Sequence, residues 1–201
     1  MIKVRRGMDL PIAGTPEQTI YDGPAVSQVA LIGSDYHGMK PTMAVRQGDV
    51  VKKGQLLFTD KKNDSAKYVA PAPGTVAAIN RGERRVFQSL VIDVEGHESK
   101  TFAAYKSEQL QELDRQLVTD QLVESGQWVA FRTRPFSKVP SAGSVASSIF
   151  VTAMDTNPLA ADPTVIIGQR EGDFANGLKV LSRLTDGPVN VCAAPDVSIP
   201  G

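Results

Sequence analysis

Cysteine is nearly missing: Cys192 is the one thiol in 201 residues. A single thiol cannot close an internal disulfide, and it cannot supply a tetrathiolate zinc site or an iron–sulfur cluster. Surplus charge is missing too. Lys and Arg number 22, Asp and Glu number 22, and the formal net charge is zero. The basic excess of a nucleic-acid binder is therefore absent. No apolar run approaches the roughly 20 residues that span a bilayer. The basic start, with Lys3, Arg5 and Arg6, is not followed by the apolar core of a signal peptide. Zinc-ligand spacing, a phosphate loop and a Ser-His-Asp pattern are all lacking, so the sequence assigns no catalytic residue and no metal ligand. These absences predict a soluble, cytoplasmic chain that meets a membrane only through a partner.

What remains is ordinary globular composition, 41% apolar and 22% charged. The length suffices for one large domain or two small ones. Residues 1–40 read as strands and turns that pack on the rest. Gly14-Thr15-Pro16 and Asp22-Gly23-Pro24 signal turns, and 26–32 alternates as a strand. Residues 41–100 read as a small all-β module of short strands. Gly48 and Gly54 bracket a turn there, and the pieces around Gly48 and Gly74 read as two related halves of one sandwich. Residues 101–201 read as α/β. Leu110, Leu113 and Leu117 recur at helical spacing, with Ser107 and Thr119 as N-caps. Strands are expected at 149–154 and 189–194, with a helix capped by Asp173 between them. Val165-Ile166-Ile167 forms a further apolar run. That β–α–β order implies parallel strands with a crossover. The domain reads as cut short at its C-terminal end.

Two stretches of the module, Gly48-Asp49-Val50-Val51-Lys52-Lys53-Gly54-Gln55-Leu56 and Ala70-Pro71-Ala72-Pro73-Gly74-Thr75-Val76, resemble the barrel-sandwich hybrid of lipoyl and biotinyl modules. In such modules the modified lysine sits at the tip of a tight hairpin. The stretch Asp60-Lys61-Lys62-Asn63-Asp64-Ser65 reads as longer than that, which favours a solvated connection over a modified Lys61 or Lys62.

A lipoyl-like module followed by a Rossmann-like domain is the order of the C subunit of the Rnf electron-transport complex and of the A subunit of sodium-translocating NADH:quinone reductases. Phe131-Arg132-Thr133-Arg134-Pro135-Phe136-Ser137-Lys138-Val139-Pro140 and Phe150-Val151-Thr152-Ala153-Met154-Asp155-Thr156-Asn157-Pro158-Leu159-Ala160-Ala161-Asp162-Pro163 resemble signatures of the second family. So does the opening stretch 2–12, and the resemblance covers essentially the whole chain. It implies a Rossmann-like domain similar to the flavin domain of the complex I flavoprotein subunit. That domain cradles a flavin phosphate in a glycine-rich loop. Here the loop, 131–148, holds only Gly143, and Cβ atoms obstruct close backbone approach to a phosphate. The resemblance therefore implies that this chain binds no cofactor itself. Flavins, the iron–sulfur centre and the NADH site would lie on other subunits of a complex that oxidises NADH, reduces ubiquinone and exports sodium. The chain would be peripheral on the cytoplasmic side of a bacterial inner membrane, held by other subunits, especially a membrane subunit.

Within that frame three places stand out. Phe131 and Phe136 could stack on a quinone ring while Arg132, Arg134 and Lys138 donate to its carbonyls. Equally, the two rings could plug the core and the cations could face solvent or a partner subunit. Tyr36 and His37, flanked by Gly33 and Gly38, could hydrogen-bond a quinone or relay a proton, or form a plain turn. Asp155 and Asn157 follow a strand end, where open α/β sheets bind ligands, but Asp-x-Asn-Pro also closes a turn by itself. His97 reads as inert and Cys192 as a buried core thiol. Two other roles stay open: an assembly scaffold without a ligand site, and a carrier module with a modified lysine.

Overall fold

The computed structural model describes residues 11–195 and 197–200. The basic start and most of the opening stretch 2–12 lie outside the described residues. The chain divides into two compact units, Gly23–Ala146 and Met1–Asp22 with Ser147–Gly201.

In the first unit, β1 (Gln28–Ile32), β3 (Val50–Val51), β6 (Gly74–Arg81) and β7 (Phe87–Val94) form one sheet in the order β1-β7-β6-β3. A second sheet, in the order β2-β4-β5, is built from β2 (Pro41–Met43), β4 (Leu56–Asp60) and β5 (Asn63–Val69). All these pairings are antiparallel. Side chains alternate across a strand, so β5 sends Ala66 and Tyr68 inward while Lys67 and Val69 stay partly exposed. Leu57, Phe58, Val51, Val76, Leu90 and Ile92 are each less than 2% exposed and form the centre of the core. Each such side chain contributes about 1.5–3 kcal/mol on burial. The pieces around Gly48 and Gly74 are hydrogen-bonded to each other. Gly48 N donates to Val76 O at 2.8 Å and Val76 N to Asp49 O at 2.9 Å, while Gly54 N donates to Ala70 O at 2.8 Å.

The helix of this unit, α1 (Arg115–Glu124), starts later than the leucine spacing suggests. Asp114 is its N-cap. Its carboxylate accepts from Gln116 N at 2.8 Å and Leu117 N at 3.4 Å, two amides that a helix leaves free. Ser107 instead opens a short 3-10 turn, and Thr119 is buried in the middle of α1 rather than capping a second helix. The buried stripe is Val118 and Thr119, and Leu117 is exposed.

The second unit holds β8 (Ile149–Thr152), α2 (Pro163–Gln169), α3 (Glu171–Ser182) and β9 (Val189–Cys192). β8 and β9 pair in parallel, Ile149 opposite Val189 through Thr152 opposite Cys192, so the expected β–α–β crossover is present. Gly187 is required before β9: a Cβ there would lie 1.8 Å from Ser147 O. The run Val165-Ile166-Ile167 lies in α2, capped by Asp162, whose carboxylate accepts from Thr164 N at 2.9 Å. Asp173 does not cap α3. It lies in the first turn and pairs with Arg170 at 2.5 Å. Cys192 is partly exposed rather than buried, as are all four residues of β9.

Candidate functional site

The segment 127–142 has almost no regular structure, so its shape comes from side-chain clamps. A short 3-10 turn, Gln127–Ala130, buries Trp128. The indole Nε1 donates to Pro140 O at 2.9 Å. Asn63, the first residue of β5, donates its amide to Val139 O and Pro140 O at 3.1 Å each. Ala142 N donates to the Ser65 hydroxyl at 3.1 Å. Between these anchors the loop closes on itself: Thr133 N donates to Lys138 O and Ser137 N to Thr133 O, both at 2.8 Å. The loop is thus a held projection on the β4–β5 hairpin.

Arg132 folds back, its guanidinium donating to Val129 O and to Phe131 O, the second at 2.9 Å. Phe131 is half-buried, edge-on to Trp128 with ring centroids 5.0 Å apart. Phe136 is 71% exposed at the loop tip, so it does not plug the core. Arg134 and Lys138 are exposed as well.

The turn carrying Tyr36 and His37 packs on the same core. Gly33 fits only because it has no Cβ, which would meet Phe87 O at 2.2 Å. The Tyr36 ring lies edge-on to Tyr68 with centroids 4.6 Å apart, and Tyr68 stacks on Phe58 at 4.7 Å. Burial, then the Asp35 carboxylate, raises the Tyr36 phenol above its usual range, while the Arg132 guanidinium pulls it down. Burial, then Asp60 and Tyr36, pushes the Tyr68 phenol up to about 12, again opposed by Arg132. Arg132 therefore lies within electrostatic reach of both phenols. His37 is exposed beside them.

The β4–β5 connection corrects the sequence reading. Asp60 pairs with Asn63, so Lys61 and Lys62 form a tight two-residue turn. Asp60 Oδ1 accepts from Lys40 N and from Lys62 N, both at 3.1 Å, and closes the turn. That acceptor role and the immediate start of β5 make the hairpin shorter than its polar sequence suggests. Lys62 Nζ lies 3.5 Å from Gly38 O, beside the Tyr36 turn. The structure thus brings the Tyr36 turn and the 131–138 loop together. Asp155 and Asn157 belong to the other unit, where Asp155 Oδ1 accepts from Asn157 N at 2.9 Å and from its side-chain amide at 2.8 Å. That is a self-closed Asx turn. Tyr68, Trp128 and Asn63 do not stand out in the sequence. The one available signal is a tyrosine at an inward position between Ala66 and Ala70.

Residues 2–95 match the family model of the NqrA N-terminal barrel-sandwich hybrid domain. Residues 113–201 match that of the NqrA second alpha/beta domain. The chain is 62% identical over 200 residues to the A subunit of the Na(+)-translocating NADH-quinone reductase of Teredinibacter turnerae. It is 62% identical over 200 residues to that of Saccharophagus degradans, and 60% identical over 201 residues to that of Haemophilus influenzae. Each alignment covers 100% of this chain and 45% of the relative. The chain belongs to the NqrA family. It spans about half the length of the curated relatives it matches. The first model covers the strands of the two antiparallel sheets, and the second begins ahead of α1 and runs through β8, α2, α3 and β9. Among the described residues of this NqrA-family chain, no helix is long and apolar enough to cross a membrane, and no cluster of His, Cys, Asp or Glu is arranged to hold a metal ion.

Proposed function

We propose that the chain serves in a sodium-translocating NADH:quinone reductase as part of its NqrA component, and that its β module presents a quinone-contact surface. The complex would oxidise NADH, reduce ubiquinone and export sodium. The flavins, iron–sulfur centre and NADH site would be on other subunits, and a membrane subunit would hold this one on the cytoplasmic face of the inner membrane. The observation that carries the quinone reading is the convergence of Arg132 with Tyr36 and Tyr68. A quinone headgroup is a flat ring with two carbonyl acceptors. The surface offers the Arg132 cation and the partly exposed Tyr36 phenol, with exposed Phe136 and the cations Arg134 and Lys138 on the adjoining loop. The Asx turn at Asp155 and Asn157 satisfies its own groups, which supports a local structural role there over a ligand role. The boundaries near residues 40 and 100 are part of the same proposal.

The test is complementation. A strain lacking NqrA receives the full-length protein that carries this chain, as wild type or with Arg134→Ala and Lys138→Ala. The expected result is restored sodium-stimulated NADH:ubiquinone reduction with the wild type, and a raised KM for ubiquinone with the variants at unchanged subunit composition. Normal KM but loss of subunits on purification would instead support an assembly scaffold.

A further inference from the structure

The turn between β6 and β7 takes no part in the surface described above. Residues 81–86 hold three arginines, Arg81, Arg84 and Arg85, against one acid, Glu83, in a chain whose formal net charge is zero. Backbone alone closes the turn: Gly82 N donates to Val86 O at 2.8 Å, Arg85 N to Gly82 O at 3.1 Å and Val86 N to Glu83 O at 3.2 Å. Arg81 reaches across it, donating from Nη1 to Arg85 O at 3.3 Å. Two successive residues at the tip, Arg84 (φ 53°) and Arg85 (φ 61°), lie in the left-handed region. Such a tip is ordinarily built from Asn-Gly or Asp-Gly, because a Cβ is unfavourable there. Arginine at both places follows no local rule of turn formation. It makes no compensating contact either: among the described residues neither guanidinium has an ion-pair partner. Arg84, Arg85 and the next residue, Val86, are all exposed, Val86 by 62%. A departure from local preference with no gain inside the chain points to a role outside it.

Further cations stand nearby. Gly33 packs so closely on the first residue of β7, Phe87, that a Cβ would meet its carbonyl oxygen at 2.2 Å. The far end of that same turn meets Lys62, whose Nζ lies 3.5 Å from Gly38 O. Lys40, Lys61 and Lys62 are exposed there, and Asp35, Asp60 and Asp64 offset part of their charge. The β6–β7 tip is thus a projecting turn that is cationic and ends in an aliphatic side chain. A folded acidic partner would need a hollow shaped to receive it. An anionic lipid surface needs none, and it takes a small apolar side chain between its headgroups.

We propose that the β6–β7 tip touches anionic lipid headgroups, with Arg84 and Arg85 donating to phosphate oxygens and Val86 lying among the headgroups. The proposal rests on the reading in which partner subunits hold the chain at a membrane face, and adds a direct lipid contact to that tether. It is independent of the quinone contact.

Full-length NqrA carrying this chain is sedimented with vesicles of phosphatidylethanolamine and phosphatidylglycerol. It is compared with the double variants Arg84→Gln with Arg85→Gln, and Arg84→Asn with Arg85→Gly. Vesicles of phosphatidylcholine alone are the neutral control. The wild type should partition onto the anionic vesicles, leave them as salt rises, and ignore the neutral ones. Each arginine lost should weaken partition about fivefold, and both together about 25-fold. The Asn-Gly variant suits the turn better, so its melting temperature should equal or exceed that of the wild type. Lost binding on a fold at least as stable separates lipid contact from a structural role. The proposal is overturned by a wild type that does not partition, by equal partition onto neutral vesicles, or by double variants that partition like the wild type. If vesicles are not bound but the double variants lose subunits on purification of the reductase, the tip docks on an acidic protein face and the lipid contact falls. Complementation by the wild type tests the reductase reading separately, so restored activity without vesicle partition overturns the lipid contact alone.

Discussion

At the scale of single residues, burial and neighbours set each side chain's chemistry. The phenol of Tyr68 is raised to about 12 by burial first and the Asp60 carboxylate second. The unfolded chain ionises this group near 10, so it loses its proton before the folded chain does. Stability from this residue is thus intact below about pH 10 and drains away as pH climbs toward 12. Spectrophotometric titration should show a late-ionising tyrosine that Tyr68→Phe removes, and stability of the variant should fall less steeply over that window. Asp162 behaves in the opposite sense. Its hydrogen bonds to Thr164 hold its carboxyl below the ordinary range, so its cap of α2 is present at neutral pH and lost as acid protonates the folded group. Tyr36 and Arg132 are legible in the sequence as two separate motifs. Their meeting is not, because they lie far apart along the chain and only the core brings them together. Tyr68 is hidden for another reason: an inward tyrosine on an alternating strand reads as packing.

The elements show where local rules decide and where contacts override them. Strand alternation and glycine turns make the strands of the β module readable, since period-two burial is written directly in the chain. The start of α1 is harder to read because Ser107 and Thr119 are good caps in isolation, yet the segment after Ser107 stops at one 3-10 turn. Asp114→Ala should cost about 1 kcal/mol by urea denaturation, the usual worth of a two-amide cap. Gly74 is less forgiving. Its φ is +147°, and a Cβ would lie 1.9 Å from Asp93 O on the paired strand β7. Gly74→Ala should open the β6–β7 pairing and cost on the order of 3 kcal/mol, at the upper end for a single change. The β4–β5 turn looks too long in the sequence because Asp60 resembles loop sequence, whereas it is the closing acceptor of the hairpin. Lys61 and Lys62 therefore do sit at a tight tip. Lys62 leans toward Gly38 O beside the Tyr36 turn, a poor start for a swinging arm. Intact mass of the expressed protein should equal the unmodified sequence, and a lipoyl or biotinyl increment would reverse that reading.

For the whole molecule, the order of a β module followed by an α/β unit is readable from hydrophobic period alone. The family is readable from longer stretches, of which 131–140 and 150–163 carry most. Their chemistry differs more than their sequences suggest. The first is clamped by Trp128, Asn63 and Ser65 into a projection with exposed cations at its tip. The second closes on itself through Asp155. Direct binding is the sharpest test of the quinone-contact surface. Full-length NqrA carrying this chain is titrated with ubiquinone-1, as wild type and with Arg132→Ala, with circular dichroism confirming the fold of each. Saturable binding that Arg132→Ala weakens at least several-fold is the expected result; equal affinity in the two well-folded proteins, or no saturable binding to the wild type, would contradict it.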